Sequence, residues 1–314
     1  MLNFFRCSYE VAELGRHLSE ADEFEFRFDK PRPSVVRLSK SHWDGQPVDA
    51  ATAICAADTT EETIDEKMSS EFVNGILDEL YISVMIPTVA IFRWRYGLAE
   101  GPPNPSGNVK GYCSNDGKSW REVSMVRGFY VSLERVTGPL PTLDVMRNEV
   151  VELIKTGTEE PLGRQLFREA WSERVTRPRS ALVIGVAAAE VGFKKLVGSL
   201  LPQAQWLIDE IQTPPLVTMV RKFLPTLPVK FRFQGKSIRP PNVLLNQLDE
   251  AIKHRNKLVH AGQPPPNRNE LEKMLRAVSD FLWICDVYAG HGWAHEYISV
   301  ATRMAWADDG RSVS

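Results

Sequence analysis

Residues 242–262 read "NVLLNQLDEAIKHRNKLVHAG", and the fold of the second half of the chain turns on this stretch. With about 100° per residue counted from Leu244, Leu248, Ala251, Ile252, Leu258 and Val259 all fall within about 80° of it, an amphipathic helical stripe. Asn242 is positioned as its cap and Gly262 as its stop. Arg255 falls at about 20°, inside the apolar stripe, where an unpaired guanidinium would be very costly. It therefore needs an anion or hydrogen-bond acceptors on a neighbouring helix. Asn256 and His260 fall on one flank, at about 120° and 160°, so Arg255 and His260 are about 140° apart and meet only at a groove or across a subunit contact.

The surrounding sequence repeats the helical signature. "TLDVMRNEVVELIKTG" (142–157) has Thr142 as cap and Gly157 as stop, and "LGRQLFREAWSERV" (162–175) is a more polar helix. "ALVIGVAAAEVGFKKLVGSLLP" (181–202) is apolar nearly all round, as expected of a buried central helix. Two shorter helical pieces are expected in 204–224, broken at Pro214-Pro215, and 228–241 reads as irregular or a small hairpin. After "QPPPN", residues 269–290 form the last helix, again stopping at glycine. Residues 141–290 thus predict an all-α bundle of antiparallel neighbours.

Before a proline- and glycine-marked junction, "TGPLPT" (137–142), the character differs. "FEFRF" (24–28) alternates with period two, "TVAIFRWRYGL" (88–98) alternates again, and "FYVSLERV" (129–136) is a further strand candidate. The turn at Asp116-Gly117, flanked by Tyr112 and Trp120, reads as a hairpin. In 61–80, Ile64, Met68, Phe72, Ile76 and Leu80 recur every four residues, a helical stripe. The expectation is an α+β chain of two domains. Residues 1–140 would form a β-rich mixed domain without a catalytic constellation, and 141–314 a helical bundle.

Composition narrows the function classes. Hydrophobic residues at 43% with 25% charged residues describe a globular chain. The longest apolar run, residues 181–193, is shorter than the ~20 residues that span a bilayer and holds an acid. The N-terminus lacks a signal-peptide pattern, and four scattered cysteines without a CxxC pair suggest neither a disulfide framework nor a zinc knuckle. A cytoplasmic protein with reduced thiols, no membrane association and no cofactor is expected. The net charge of −2 divides unevenly: residues 1–140 carry 15 basic against 21 acidic side chains, and 141–314 carry 23 against 19. Residues 221–257 hold nine basic residues against Asp249 and Glu250, and Arg232, Lys236, Arg239 and Lys253 in that stretch are candidate RNA contacts. A solvated basic face is the plainer account of the same charges.

Glu190 is the only charged residue in 181–193 and is the candidate anion for Arg255. A buried ion pair that fixes helix register would produce the same two residues. His260 adds a group able to exchange protons near neutrality beside a permanent cation. At this point Arg255-Asn256-Lys257-Leu258-Val259-His260 resembles the Arg-polar-x-x-x-His signature of the HEPN superfamily, named for higher-eukaryote and prokaryote nucleotide-binding domains. The resemblance covers about residues 150–290, including an earlier acid-bearing helix, "AAAEVGFKK". It implies a homodimer whose two motifs share a cleft. Many members are metal-independent ribonucleases of toxin–antitoxin or antiviral defence systems; others bind RNA or nucleotides without cleaving them. On that resemblance His260 would be the acid/base and Arg255 the phosphate contact, with Asn256 orienting the substrate or His260. Glu190, Lys257 and His254 would support them, and the N-terminal half would bind an antitoxin or sense a trigger.

Competing signals are weaker. "HGWAH" (291–295) could ligate zinc, but it lacks the HExxH pattern and a nearby cysteine, and reads instead as a polar segment after the bundle. Trp283, Tyr288, Trp293 and Trp306 could stack bases, although aromatics such as Trp283 and Tyr288 more often fill a core or an interface. No GxSxG, GxGxxG, P-loop or paired-carboxylate motif is present.

Overall fold

The structure is a computed structural model that describes residues 3–12, 18, 23–43, 46–59, 70–98, 109–114, 118–123, 143–204, 206, 210, 215–231 and 238–309. The chain divides into two compact units, Met1–Glu160 and Pro161–Ser314. An antiparallel sheet characterises the first, and the second is mostly helical.

The sheet of the first unit contains β1 (Asn3–Ala12), β2 (Glu23–Phe28), β3 (Ser34–Trp43), β4 (Gln46–Thr59), β5 (Lys110–Ser114) and β6 (Arg121–Val123), in the order β2-β3-β4-β1-β5-β6. The alternation in β2 is realised: Phe24 and Phe26 are buried, while Glu23, Glu25 and Arg27 face outward. The hairpin expected around residue 116 is present as β5 paired with β6, with Tyr112 opposite Glu122; the turn itself lies outside the described residues. The strand expected at 129–136, the junction at 137–142 and the cap Thr142 also lie outside them.

Residues 88–95 are helical and 96–98 form the turn that follows, which corrects the strand read over 88–98 from its alternation. Helix α1 (Ser70–Leu80) runs through a π turn (Tyr81–Met85) into α2 (Ile86–Arg95), with Pro87 in the first turn of α2. The alternation misled because α2 is buried almost all round, arginines included, so hydrophobicity along it carries no face. Phe92 meets Phe24 edge-on at 5.0 Å between ring centres, which seats this helix on the sheet. In α1 the buried positions are Val73, Ile76, Leu77 and Leu80, and Phe72 of the expected stripe is exposed; Ile64 and Met68 lie outside the described residues. Phe72–Arg95 is long and apolar enough to cross a membrane by length and composition, a test that sheet-packed core helices also pass. The continuous helix thus exceeds the longest apolar run that the sequence displayed.

Helix α3 (Leu143–Lys155) belongs to the first unit, which therefore ends about one helix beyond the residue-140 boundary expected from the sequence. Met146 and Val150 of this helix are buried, and an ionic tie adds to the packing. Arg95, 1% exposed at the end of α2, donates from Nε to Glu149 Oε2 at 2.6 Å, which ties α3 to the sheet-bearing unit. Gly157, with φ +65°, ends the helix as expected.

In the second unit, α4 (Leu162–Glu173) packs on α5 (Pro178–Leu200), and α5 also packs on α7 (Asn242–Ala261) and α8 (Arg268–Ala289). The central position expected for α5 is realised through its small residues. A Cβ on Gly163 of α4 would lie 2.9 Å from the Gly192 Cα of α5. Of the short helices expected in 204–224, α6 (Leu216–Lys222) is described. Helix α7 begins at Asn242 itself, preceded by Pro241, so Asn242 is its first residue and not its cap; Gly262, with φ +63°, closes it as expected. Helix α8 is capped by Asn267, whose side chain accepts from the Glu270 backbone while the Glu270 side chain accepts from Asn267 N, and it ends at Gly290. A 3-10 turn (Gly292–Tyr297) and α9 (Val300–Asp309) follow, an element the sequence reading lacked.

Candidate functional site

Helix α7 leaves the core as it runs. Leu244, Leu245, Leu248 and Ala251 are buried, whereas Ile252, His254, Arg255 and Leu258 are half-buried, and Asn256, Lys257, Val259 and His260 are exposed. Val259, expected on the apolar stripe, is 52% exposed. The stripe is continuous in the sequence, but what it packs against ends near Ala251.

Arg255 and Glu190 come together as the sequence predicted. The Arg255 Nη2 donates to Glu190 Oε1 at 2.6 Å, with the two side chains 18% and 15% exposed. This single charge-assisted bond joins α7 to α5. The Arg255 Nε is enclosed and has no hydrogen-bond partner among the described residues. An enclosed donor of this kind carries a desolvation cost that donation to an oxygen would relieve. Asn256 and His260, four residues apart, share the exposed side of the helix. Within one chain the cation is therefore held against α5, and the imidazole stands in solvent on another face.

The basic stretch divides. Arg232 and Lys236 lie outside the described residues. Lys253 pairs with Asp249 at 2.7 Å, one turn earlier on the same exposed face. The Arg239 Nη2 donates to Asn242 Oδ1 at 3.3 Å, and its carbonyl accepts from Trp306 Nε1 at 3.1 Å, so Arg239 is part of the α7 entry. Lys257 is exposed beside His260.

The aromatics at 283, 288 and 306 are core residues rather than a stacking platform. Trp283 lies between the Arg164 guanidinium, 3.3 Å from its ring centre, and Tyr297, whose ring stacks at 4.7 Å. Tyr288 donates its hydroxyl to the Ile238 carbonyl, and burial pushes its pKa far up. His291, next in the chain to a buried α8, has its pKa lowered by burial, against the opposing pull of Asp286. No group of three candidate metal ligands occurs among the described residues.

A second set of buried ions escaped the sequence reading. Arg164, Arg168 and Arg174 of α4 and its C-terminal turn are all buried. The Arg164 Nε donates to Asp286 Oδ2 at 2.9 Å, and the Arg174 guanidinium lies over the Trp171 ring at 4.3 Å. Asp280 accepts from the Ser299 backbone N–H and hydroxyl and from the Thr302 hydroxyl, anchoring α9. The wheel argument applied to Arg255 would have flagged the α4 arginines too, since they share a side with Phe167, Ala170 and Trp171. No family model, curated protein or solved structure matches the chain.

Proposed function

We propose that the helical half is a HEPN-type, metal-independent endoribonuclease, a toxin or antiviral effector acting as a homodimer in the cytoplasm. The observation that supports this reading is the union of Arg255 with Glu190, with Asn256, Lys257 and His260 exposed on the turns that follow. In the proposed reaction, one His260 takes the proton of an RNA 2′-hydroxyl, and that oxygen attacks the adjacent phosphorus. The bond from phosphorus to the 5′-oxygen breaks, and the leaving oxygen takes a proton from His260 of the second protomer. Arg255 stabilises the charge on the phosphate oxygens, since a guanidinium offers forked, charge-assisted hydrogen bonds. The products carry 2′,3′-cyclic phosphate and 5′-hydroxyl ends. Glu190 acts as the positioning group for Arg255. The first unit would supply the surface for an antitoxin or trigger.

A second reading rests on the same ion pair. The Arg255–Glu190 contact joins α5 to α7 without any RNA, and a non-catalytic adaptor that dimerises and binds RNA, nucleotide or protein needs nothing more. Wild type and the Arg255→Ala/His260→Ala variant, incubated with total RNA and tRNA in excess EDTA, separate the two. Cleavage by wild type alone, with cyclic-phosphate ends, is expected. RNA bound but left intact by both proteins would favour the adaptor.

A further inference from the structure

Cys7 and Cys55 face each other across the two central strands of the sheet, β1 and β4, as directly opposed residues of the antiparallel ladder. Both are fully buried, on the side that also presents Phe5, Val36 and Ala53. Directly opposed residues in such a ladder have Cα atoms about 4.5–5.5 Å apart, inside the span of about 4.4–6.8 Å that a disulfide tolerates. As opposed residues of the ladder, both side chains project from the same face of the sheet, and the Cys55 thiol acts on that of Cys7. The third cysteine of the sheet does not compete. Cys113 stands opposite Phe5, and Gly111 stands opposite Cys7, so Cys7 and Cys113 are diagonal neighbours about 7–8 Å apart. Cys285 belongs to the second unit.

We propose that Cys7 and Cys55 are a redox pair that closes to a cross-strand disulfide when a low-molecular-weight disulfide such as oxidised glutathione is supplied. One cysteine thiolate attacks the glutathione disulfide and expels glutathione thiolate. The second cysteine thiolate then attacks the cysteine sulfur of the mixed disulfide and expels the other glutathione. Two protein thiols are oxidised, one glutathione disulfide is reduced to two thiols, and the protons pass to the leaving thiolates. Closure clips the centre of the sheet directly beneath the α1–α2 helix, which makes the stability of the first unit depend on redox state. The hydrogen bond to Cys55 and burial push the Cys7 thiol up, so the thiolate is scarce in the folded sheet. Closure is therefore slow once the protein has folded and fast when the strands are open.

The experiment equilibrates the full chain in buffers of reduced and oxidised glutathione. The end point is approached from the reduced folded protein and from protein refolded out of urea in the same buffer. Free thiols are then alkylated under denaturing conditions, and the peptides are mapped by mass spectrometry. The expected result is loss of two of the four thiols, a Cys7–Cys55 linked peptide, and a urea midpoint shifted upward for the oxidised protein. The Cys55→Ala chain should keep its three remaining thiols free in the same buffers. Four free thiols after refolding, a Cys7–Cys113 link, or a stable glutathione adduct on Cys7 would each overturn the proposal.

Discussion

Replacing Arg255 by Met and Glu190 by Gln, singly and together, measures what the α5–α7 contact contributes. The gross attraction of two unit charges about 4 Å apart at an effective dielectric of about 20 is about 4 kcal/mol. Desolvation offsets much of it, and a hydrogen bond involving a charged group contributes about 1.5–3 kcal/mol net. With the partners 18% and 15% exposed, the pair lies between a surface bridge, near 0–1 kcal/mol, and a buried one, whose disruption costs about 3–5 kcal/mol. Arg255→Met is expected to cost about 2 kcal/mol, because it leaves the Glu190 carboxylate without its partner. Glu190→Gln keeps an oxygen acceptor for Nη2 and should cost about 1 kcal/mol. The double mutant should fall short of the sum by about 1 kcal/mol, the coupling that two residues in contact display. Urea unfolding followed by tryptophan fluorescence suits the measurement, since Trp171, Trp206, Trp283, Trp293 and Trp306 all lie in the second unit. Strict additivity of the two substitutions, with Arg255→Met within about 0.5 kcal/mol of wild type, would refute the assignment of this bond as the α5–α7 tie.

Two further perturbations follow from the packing and from the shifted imidazole of His291. Gly163→Ala places a Cβ 2.9 Å from the Gly192 Cα and 3.0 Å from the Ala188 carbonyl oxygen, both backbone atoms, whereas Gly185→Ala meets the Leu275 side-chain terminus at 2.4 Å. Overpacking costs about 1–3 kcal/mol, and a methyl end can swing aside where backbone cannot, so Gly163→Ala should unfold in less urea than Gly185→Ala; the reverse order would count against the close α4–α5 approach. His291 has a folded pKa below its ordinary 6.5 because burial disfavours the cation. The unfolded chain then binds the extra proton first as pH falls. Stability contributed by neutral His291 is complete above about pH 6.5 and declines below it, levelling off under the folded pKa. Asp286 opposes this shift and Lys230 reinforces it. His291→Asn should flatten the dependence of the urea midpoint on pH just below 6.5, and an unchanged slope would assign the dependence to another group.

Where one face of an element is buried and the other wet, the sequence was legible. Strand β2, the hairpin of β5 and β6, and helices α7 and α8 with their glycine stops all emerge from period and punctuation. Where burial is nearly complete the pattern disappears, as in α2, whose arginines made a helix look like an alternating strand. Ile298, Thr302 and Trp306 are buried at four-residue spacing, a helical signal present in the sequence of the tail. The Arg255–Glu190 pair was legible because each residue is an ion in an apolar stretch, and two such misfits on neighbouring helices explain each other. The exposure of Val259 was not legible, since a wheel gives the direction of a side chain but not whether another element is there to meet it.

Burial of a guanidinium does not by itself mark chemistry in this chain. Arg164, Arg168 and Arg174 are all more deeply buried than Arg255, and Arg164 bonds Asp286 through Nε and lies over the Trp283 ring, while its enclosed Nη2 has no hydrogen-bond partner among the described residues. Arg255 differs in its surroundings. The helix that carries it has just left the core, and the residues next along it are exposed, polar and basic rather than apolar. The position of Arg255 at the edge keeps one face of the guanidinium against Glu190 while the turns that follow project Asn256, Lys257 and His260 outward. Within one chain the anchored cation and the exposed imidazole lie on different faces of α7, so the proposed phosphate chemistry needs a second protomer to bring the two groups together.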